Sequence, residues 1–249
     1  MAEIDRVLVF DVWGDYAHFR RGYTTTSPLT FPFPSRTTLA GLISAILGLP
    51  RDSYYKLFGK DNSAFALQIL NPIRKIKITQ NLINTKENDN PLYLKYGFIN
   101  SFKGRTQIPF EFIKEPKYRV YAWLSDQKFD DLIKLIKEHK SVYTPYLGIS
   151  ECIANFEIFK DGMFEVEKKR VDGGEGVEIY SIIEKGKAKV RGGERGKKYG
   201  IVKVPGFMNQ DRSVSKYMEF YYEEDGKPLT ITEGEYYTLK GEDVNVVFF

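Results

Sequence analysis

The chain is poor in the residues that most often carry chemistry. Among 249 residues there is one cysteine, Cys152, and there are two histidines, His18 and His139. A single thiol excludes an intrachain disulfide and a cysteine metal cluster. Two histidines leave a zinc site dependent on carboxylates, and no His/Asp/Glu spacing suggests one, so neither metal nor organic cofactor is expected. No apolar run approaches a membrane span, and Met1–Asp5 carries charge, unlike a signal peptide. A cytoplasmic location is therefore expected, with no membrane partner. Walker A, GxGxxG and GxSxG patterns are all missing, and no paired-carboxylate motif stands in a convincing context.

What is present is aromatic and mildly basic: 18 Phe, 17 Tyr and a formal net charge of +4. That balance permits an anionic partner, and the clustering of cations matters more than their total. Tyrosine at this level suits strands, interfaces or base stacking. The length suits one large domain or two small ones.

The most informative stretch runs from Val7 to Gly48. An apolar strand, Val7–Val12, breaks at Gly14. A loop rich in rings and cations follows: Tyr16, His18, Phe19, Arg20, Arg21 and Tyr23. Pro28, Pro32 and Pro34 then stop regular structure, and Ser35 caps a helix predicted over Arg36–Leu47. Gly41 lies within that helix, where it costs about 1 kcal/mol relative to alanine, so a close backbone approach is expected there. A short helix is predicted over Ser53–Phe58. A second strand is predicted over Phe65–Ile78, with cations and isoleucines alternating from Arg74 to Ile78. A polar insert follows at 79–115, with a tip near Asn84–Pro91. A third strand spans Tyr118–Leu124, a second helix about Asp126–Lys140 with Ser125 as its cap, and a fourth strand Cys152–Lys160.

The order β-α-β-insert-β-α-β predicts an α+β, ferredoxin-like split βαβ domain at residues 1–162. It would be a four-stranded antiparallel sheet with both helices on one face and an inserted hairpin at about 79–115. Residues 163–249 are glycine-dense, without long helical periodicity. Short strands recur at Val177–Ile183, Tyr199–Val204, Tyr217–Tyr222, Tyr236–Leu239 and Val244–Phe249, so a smaller β-rich part is expected there.

Three segments offer anion chemistry. In the Tyr16–Tyr23 loop, Arg20 and Arg21 have the planar fork that pairs with phosphate, and Tyr16 and Phe19 offer rings for unpaired bases. Arg36 follows at the start of the first helix. A loop whose aromatics cover the sheet edge stands level with RNA contact on composition. Lys95–Phe102 only partly matches the strand signature of RNA-recognition modules, and Lys103 and Arg105 follow it. Lys185–Lys198 gathers Lys185, Lys187, Lys189, Arg191, Arg195, Lys197 and Lys198 among glycines, which suits phosphate binding by counterion release. Tyr146–Ser150 is a glycine turn at Gly148 that could cradle a phosphate or be a bare tight turn. Metal-independent RNA cleavage needs a base and an acid drawn from His, Lys and Tyr. His18, His139 and Lys140 are the candidates, although stacking explains the first and helix capping the second.

The run Gly14-x-Tyr16-Ala-His-Phe-Arg20, then Pro34-Ser-Arg-Thr-Thr-Leu-Ala-Gly-Leu42 and Ala45-Ile-Leu-Gly48, resembles the N-terminal signature of the CRISPR-associated Cas-five family. Tyr146-Leu-Gly-Ile-Ser150 resembles that family's glycine turn, with Ile149 where a cation is often found. The resemblance covers roughly residues 5–160. It implies a subunit of a type I CRISPR interference (Cascade) complex in antiviral defence, with a ferredoxin-like palm, a hairpin thumb and a variable C-terminal part. Such a subunit holds the 5′ handle of crRNA and contacts the backbone subunit and the large subunit, with no small-molecule ligand. One branch of the family cuts precursor RNA through an adjacent Lys-His pair; here His139-Lys140 stands in reverse order. The expectation is therefore a non-catalytic RNA-binding subunit. An endoribonuclease and a scaffold that meets only proteins are the rival readings.

Overall fold

The computed structural model describes residues 4–24, 27–83 and 105–249. The chain is mostly β, with two α-helices among the described residues. Strand β1 (Arg6–Trp13) has Val7, Leu8, Val9 and Phe10 wholly buried. Successive side chains point to opposite faces, so this strand is covered on both sides. A two-residue strand, β2 (Tyr16–Ala17), follows it.

Helix α1 (Arg36–Leu47) forms as its pattern predicts: the Ser35 side chain accepts from the Thr38 N–H, and Gly48 ends the helix in the left-handed region. The close approach expected at Gly41 is not seen. A Cβ there would meet only the Tyr54 hydroxyl, at 3.8 Å. The segment 53–58 forms turns, not the predicted helix.

The single strand expected over Phe65–Ile78 is two strands, β3 (Ser63–Ile69) and β4 (Arg74–Ile83). Asn71-Pro72 divides them. Proline restricts the residue before it, and the Asn71 side chain donates to the Glu115 carbonyl at 2.9 Å. Strand β5 (Arg105–Lys114) pairs antiparallel with β4 in continuous register from Arg74↔Lys114 to Ile83↔Arg105. A hairpin base therefore occupies the flanks of the predicted insert; its tip and Lys103 lie outside the described residues. Both strands join β2 in a three-stranded sheet, β2-β5-β4.

Strand β6 (Lys117–Leu124) is followed by helix α2 (Lys128–Lys137), shorter than predicted at both ends. Ser125 is not its cap: Gln127 holds that position with no side-chain bond, and Asp126 accepts from the Lys128 N–H at 2.9 Å. Phe129, Leu132 and Ile136 are buried as the spacing requires.

Strand β7 (Asn155–Ile179) runs through residues 160–164 without leaving its sheet. Lys160 and Gly162 there have positive φ, at the place where its pairing with β1 shifts register. After β7 come β8 (Ile183–Glu184), β9 (Ala188–Val190), β10 (Tyr199–Met208), β11 (Val214–Glu223), β12 (Leu229–Leu239) and β13 (Asn245–Val246). The main sheet has the order β13-β12-β7-β1-β6-β3, with β9 paired to β12, so it has seven strands instead of the four expected. The difference arises because the C-terminal strands extend β7 directly. A third sheet has the order β10-β11-β8. One apolar core takes residues from both parts of the chain, among them Phe10, Ile43, Leu67, Val204 and Phe220.

No described helix is long and apolar enough to cross a membrane.

Candidate nucleic-acid interface

The Tyr16–Tyr23 loop folds along the base of the β4–β5 hairpin. Pairing of Tyr16 with Lys114 and of Ala17 with Ile113 begins the contact. The loop then doubles back: Arg20 bridges Thr30, the Arg21 N–H donates to the Leu29 carbonyl at 2.9 Å, and the Phe31 N–H donates to the Phe19 carbonyl at 2.8 Å. Glu111 joins loop to hairpin, accepting from the Thr30 N–H at 3.2 Å and from Lys75 Nζ at 3.0 Å.

Within this frame the predicted residues separate into inward and outward groups. His18 is fully buried against Phe110 and Phe112, with ring centroids 5.4 and 5.5 Å away. Its Nδ1 is 2.7 Å from the Glu111 carbonyl oxygen, which can only accept, so the ring proton sits on Nδ1. Nε2 is enclosed without a partner. Burial pushes the imidazole below its ordinary 6.5, with a smaller contribution from nearby Arg20. Phe19 is also buried, its ring 6.2 Å from Tyr118. It offers no face to a base and plugs the core instead.

Gly148 explains how the loop is anchored. Its φ is +94°, and a Cβ there would lie 2.1 Å from the His18 carbonyl oxygen. The His18 N–H donates to the Leu147 carbonyl at 3.0 Å. The glycine turn therefore clasps the loop backbone, a contact that any larger residue would break. Gly14 is similarly tight, since a Cβ would meet the Ile153 carbonyl oxygen at 2.7 Å.

Facing outward are Arg20, Tyr23 and, on the hairpin, Arg74, Lys75, Lys77 and Arg105. Tyr23 is 72% exposed and accepts from the Arg21 guanidinium at 3.1 Å. Arg21 also donates from Nε to the Thr30 carbonyl at 3.1 Å, and its guanidinium lies over the Phe31 ring, so it is half-committed to the loop. Tyr16 is at the edge, 37% exposed, with its ring edge-on to Phe112. The alternation at Arg74–Ile78 does sort the strand: Ile76 and Ile78 pack on the core while Lys75 and Lys77 face away. Lys77 and Tyr23 were outside the sequence-predicted set, although the Lys-Ile alternation was the signal for the first.

Arg36 is far from a surface cation. It is 2% exposed and donates to the carbonyls of Phe58 and Ser63, each at 2.9 Å, and to Ser63 Oγ at 2.8 Å. Its guanidinium lies 4.5 Å from the Phe207 ring centroid. Such a group cannot neutralise the phosphate of an outer strand.

The Lys185–Lys198 cluster is largely paired. Lys185 meets Glu219 at 3.1 Å, Lys189 meets Glu233 at 2.8 Å and Lys198 meets Asp225 at 3.1 Å. Lys197 forms a half-sheltered pair with Glu194 at 2.6 Å. That lysine, with the Tyr199 and Thr230 hydroxyls, pushes Glu194 down to about 2. Arg191 and Arg195 remain exposed without an acidic partner among the described residues. Arg191 donates to the Gly174 carbonyl at 3.1 Å.

The cleavage candidates do not form a dyad. His139 lies just past α2 with φ +52°, its ring stacked on Phe156 at 5.0 Å. Lys140 pairs with Glu138 at 2.9 Å. Among the described residues no group of His, Cys, Asp and Glu could hold a metal ion.

The buried neutral imidazole has a measurable consequence. The unfolded chain takes up a proton at His18 near 6.5 and the folded chain does so only at lower pH. Its contribution to stability is thus fully present above pH 6.5 and is lost as pH falls below that value. Denaturant unfolding at pH 7.5 and 5.5 should show a loss in the wild type that is smaller in His18→Asn, whose amide can still donate to Glu111.

Residues 7–225 match the family described as CRISPR-associated protein (Cas_Cas5). No protein of curated function matches the sequence. Among solved structures, a CRISPR protein from Archaeoglobus fulgidus is similar at 16% identity and a TM-score of 0.50, covering 95% of this chain and 97% of that one. A chain of a CRISPR RNA-guided surveillance complex is similar at 13% identity and a TM-score of 0.48, covering 89% and 91%. A chain of a Type III-B Cmr-beta complex bound to cognate target RNA is similar at 12% identity and 0.48, covering 91% and 86%. With the family match spanning strand β1, the loop, both helices and most of the C-terminal strands, the chain belongs to the Cas5 family of CRISPR-associated proteins.

Proposed function

We propose that this protein is a non-catalytic RNA-binding subunit of a type I CRISPR interference complex. It holds the 5′ handle of crRNA and meets the backbone and large subunits. The observation that carries this reading is the ledge made by the loop and the hairpin. There Arg20, Tyr23 and Lys77 face outward on backbone fixed by Glu111, Thr30 and Gly148, and Arg105 is exposed further along the same hairpin. Cations supply the salt-dependent grip on phosphates, and exposed rings stack on unpaired bases. The order β7-β1-β6-β3, antiparallel throughout, supports a ferredoxin-like palm within the larger sheet. In this reading residues 1–162 are the palm, the β4–β5 hairpin is the base of its thumb, and residues 163–249 are a β-rich part sharing the palm's core.

The same geometry supports a reading without cleavage. His18 is enclosed and neutral with one nitrogen committed, so it cannot reach a 2′-hydroxyl. Purified protein incubated with handle-containing precursor RNA in EDTA and in magnesium should leave it intact. Specific cutting to a 2′,3′-cyclic phosphate, lost in His139→Ala, would establish the endoribonuclease reading instead.

A further inference from the structure

A concavity lies where the start of α1 meets the β10-β11-β8 sheet. Its volume is about 390 Å³, within the usual range of small-molecule sites. Arg36, Lys60, Lys185, Lys187 and Lys216 line it, against one acidic side chain, Glu184. That carboxylate is shared: it is 3.5 Å from Lys187 Nζ and 3.4 Å from Lys216 Nζ. Glu219 offsets Lys185 from outside the lining, and Lys60 has no acidic partner among the described residues. The lining side-chain cations therefore exceed the lining side-chain carboxylates.

Two sheltered cations add to this positive charge. Arg36 is 2% exposed, and its Nε is a buried donor with no partner. No carboxylate of the described residues lies within ion-pair distance of it. The rest of its guanidinium is held by Phe58, Ser63 and the Phe65 and Phe207 rings, so Arg36 adds positive charge behind the cavity wall without presenting Nε to a ligand. Lys187 is also sheltered, donating to the Phe248 carbonyl at 2.6 Å, and burial depresses its ammonium. Phe207, Met218 and Phe249 supply an apolar wall. The room exceeds that of a bare phosphate, and the wall suits an organic group attached to it.

We propose that this cavity binds an organic phosphate of mononucleotide size, with the phosphate against Lys187 and Lys216 and the organic part against the apolar wall. The ligand is either a free nucleotide or the phosphorylated end of an RNA strand. This departs from the sequence expectation of no small-molecule ligand, and it does not depend on the ledge binding RNA.

Adenosine 5′-monophosphate is the probe, titrated by calorimetry into the full chain, with adenosine and inorganic phosphate as parallel arms. The nucleotide should bind saturably, inorganic phosphate should compete, and adenosine should not. Lys216→Gln, whose side chain is half exposed, should weaken binding about tenfold, as expected for one charge-assisted bond, and leave the melt unchanged. Lys203→Gln, on β10 and outside the cavity, should bind as wild type. Single-stranded RNA with a 5′-phosphate that displaces the nucleotide, where the 5′-hydroxyl strand does not, assigns the site to a chain end. Failure of both strands to displace it assigns the site to a free nucleotide. Equal displacement by both strands, equal binding of adenosine, or no effect of Lys216→Gln would overturn the proposal.

Discussion

Gly148→Ala should cost the protein at least about 3 kcal/mol, the range reached when a special backbone angle and a steric clash coincide. The added methyl would sit 2.1 Å from the His18 carbonyl oxygen, at a φ of +94° that L-residues rarely adopt. The two nearest atoms are backbone atoms of His18 and not the soft end of a side chain, so the clasp between the turn and the loop must open. Chemical denaturation should show the loss, and RNA affinity should fall with it because the loop that carries Arg20 is released. Gly192→Ala is the contrast: nothing lies within 4 Å of its Cβ position, and it should be nearly neutral. Equal stability of the two variants would mean that the clasp does not hold the loop.

Phe19 and Tyr23 sit four residues apart and should behave oppositely. Phe19→Ala removes a ring that is 3% exposed and should cost about 3–5 kcal/mol of stability, the range for emptying an aromatic core site. Tyr23→Ala removes a ring that is 72% exposed and should leave the melt almost unchanged. Under the proposed function it should instead weaken RNA binding by about 1–3 kcal/mol, the cost of one stacked base. Paired thermal melts and binding titrations separate the two. A stable Phe19→Ala that binds RNA poorly would restore Phe19 to the interface.

Helix α1 was legible to the residue because Ser35, the apolar spacing and Gly48 are all local signals. The strands of the C-terminal part were found at roughly the right places but not in the right sheet. Which strand extends β7 depends on pairing partners far away in sequence, such as Leu229↔Ile179 and Leu239↔Val166. The break at Asn71-Pro72 was visible and was overridden by the alternation that follows it. Within the loop, composition identified the segment but not the direction of each side chain. His18, Phe19 and Arg36 stand in the segment expected to meet RNA, yet they point inward. Burial on a loop is set by what the loop packs against, here Phe110, Phe112 and the glycine turn. Likewise the Lys185–Lys198 cations gave no hint of Glu219, Glu233 and Asp225, which the β11 and β12 region brings beside them. The cavity beside Arg36 was not readable at all, since it joins α1 to strands more than 140 residues further along the chain.

The central claim is that the ledge of loop and hairpin grips RNA phosphates. The most direct test is a salt titration of crRNA affinity in the assembled complex, comparing wild type with Arg20→Gln plus Lys77→Gln. Both residues are exposed, so the fold should be kept. Each lost contact to a single-strand phosphate lowers the slope of log affinity against log salt by about 0.7, so the double variant should fall by about 1.4. An unchanged slope and unchanged affinity would contradict the claim and place the RNA elsewhere on the protein.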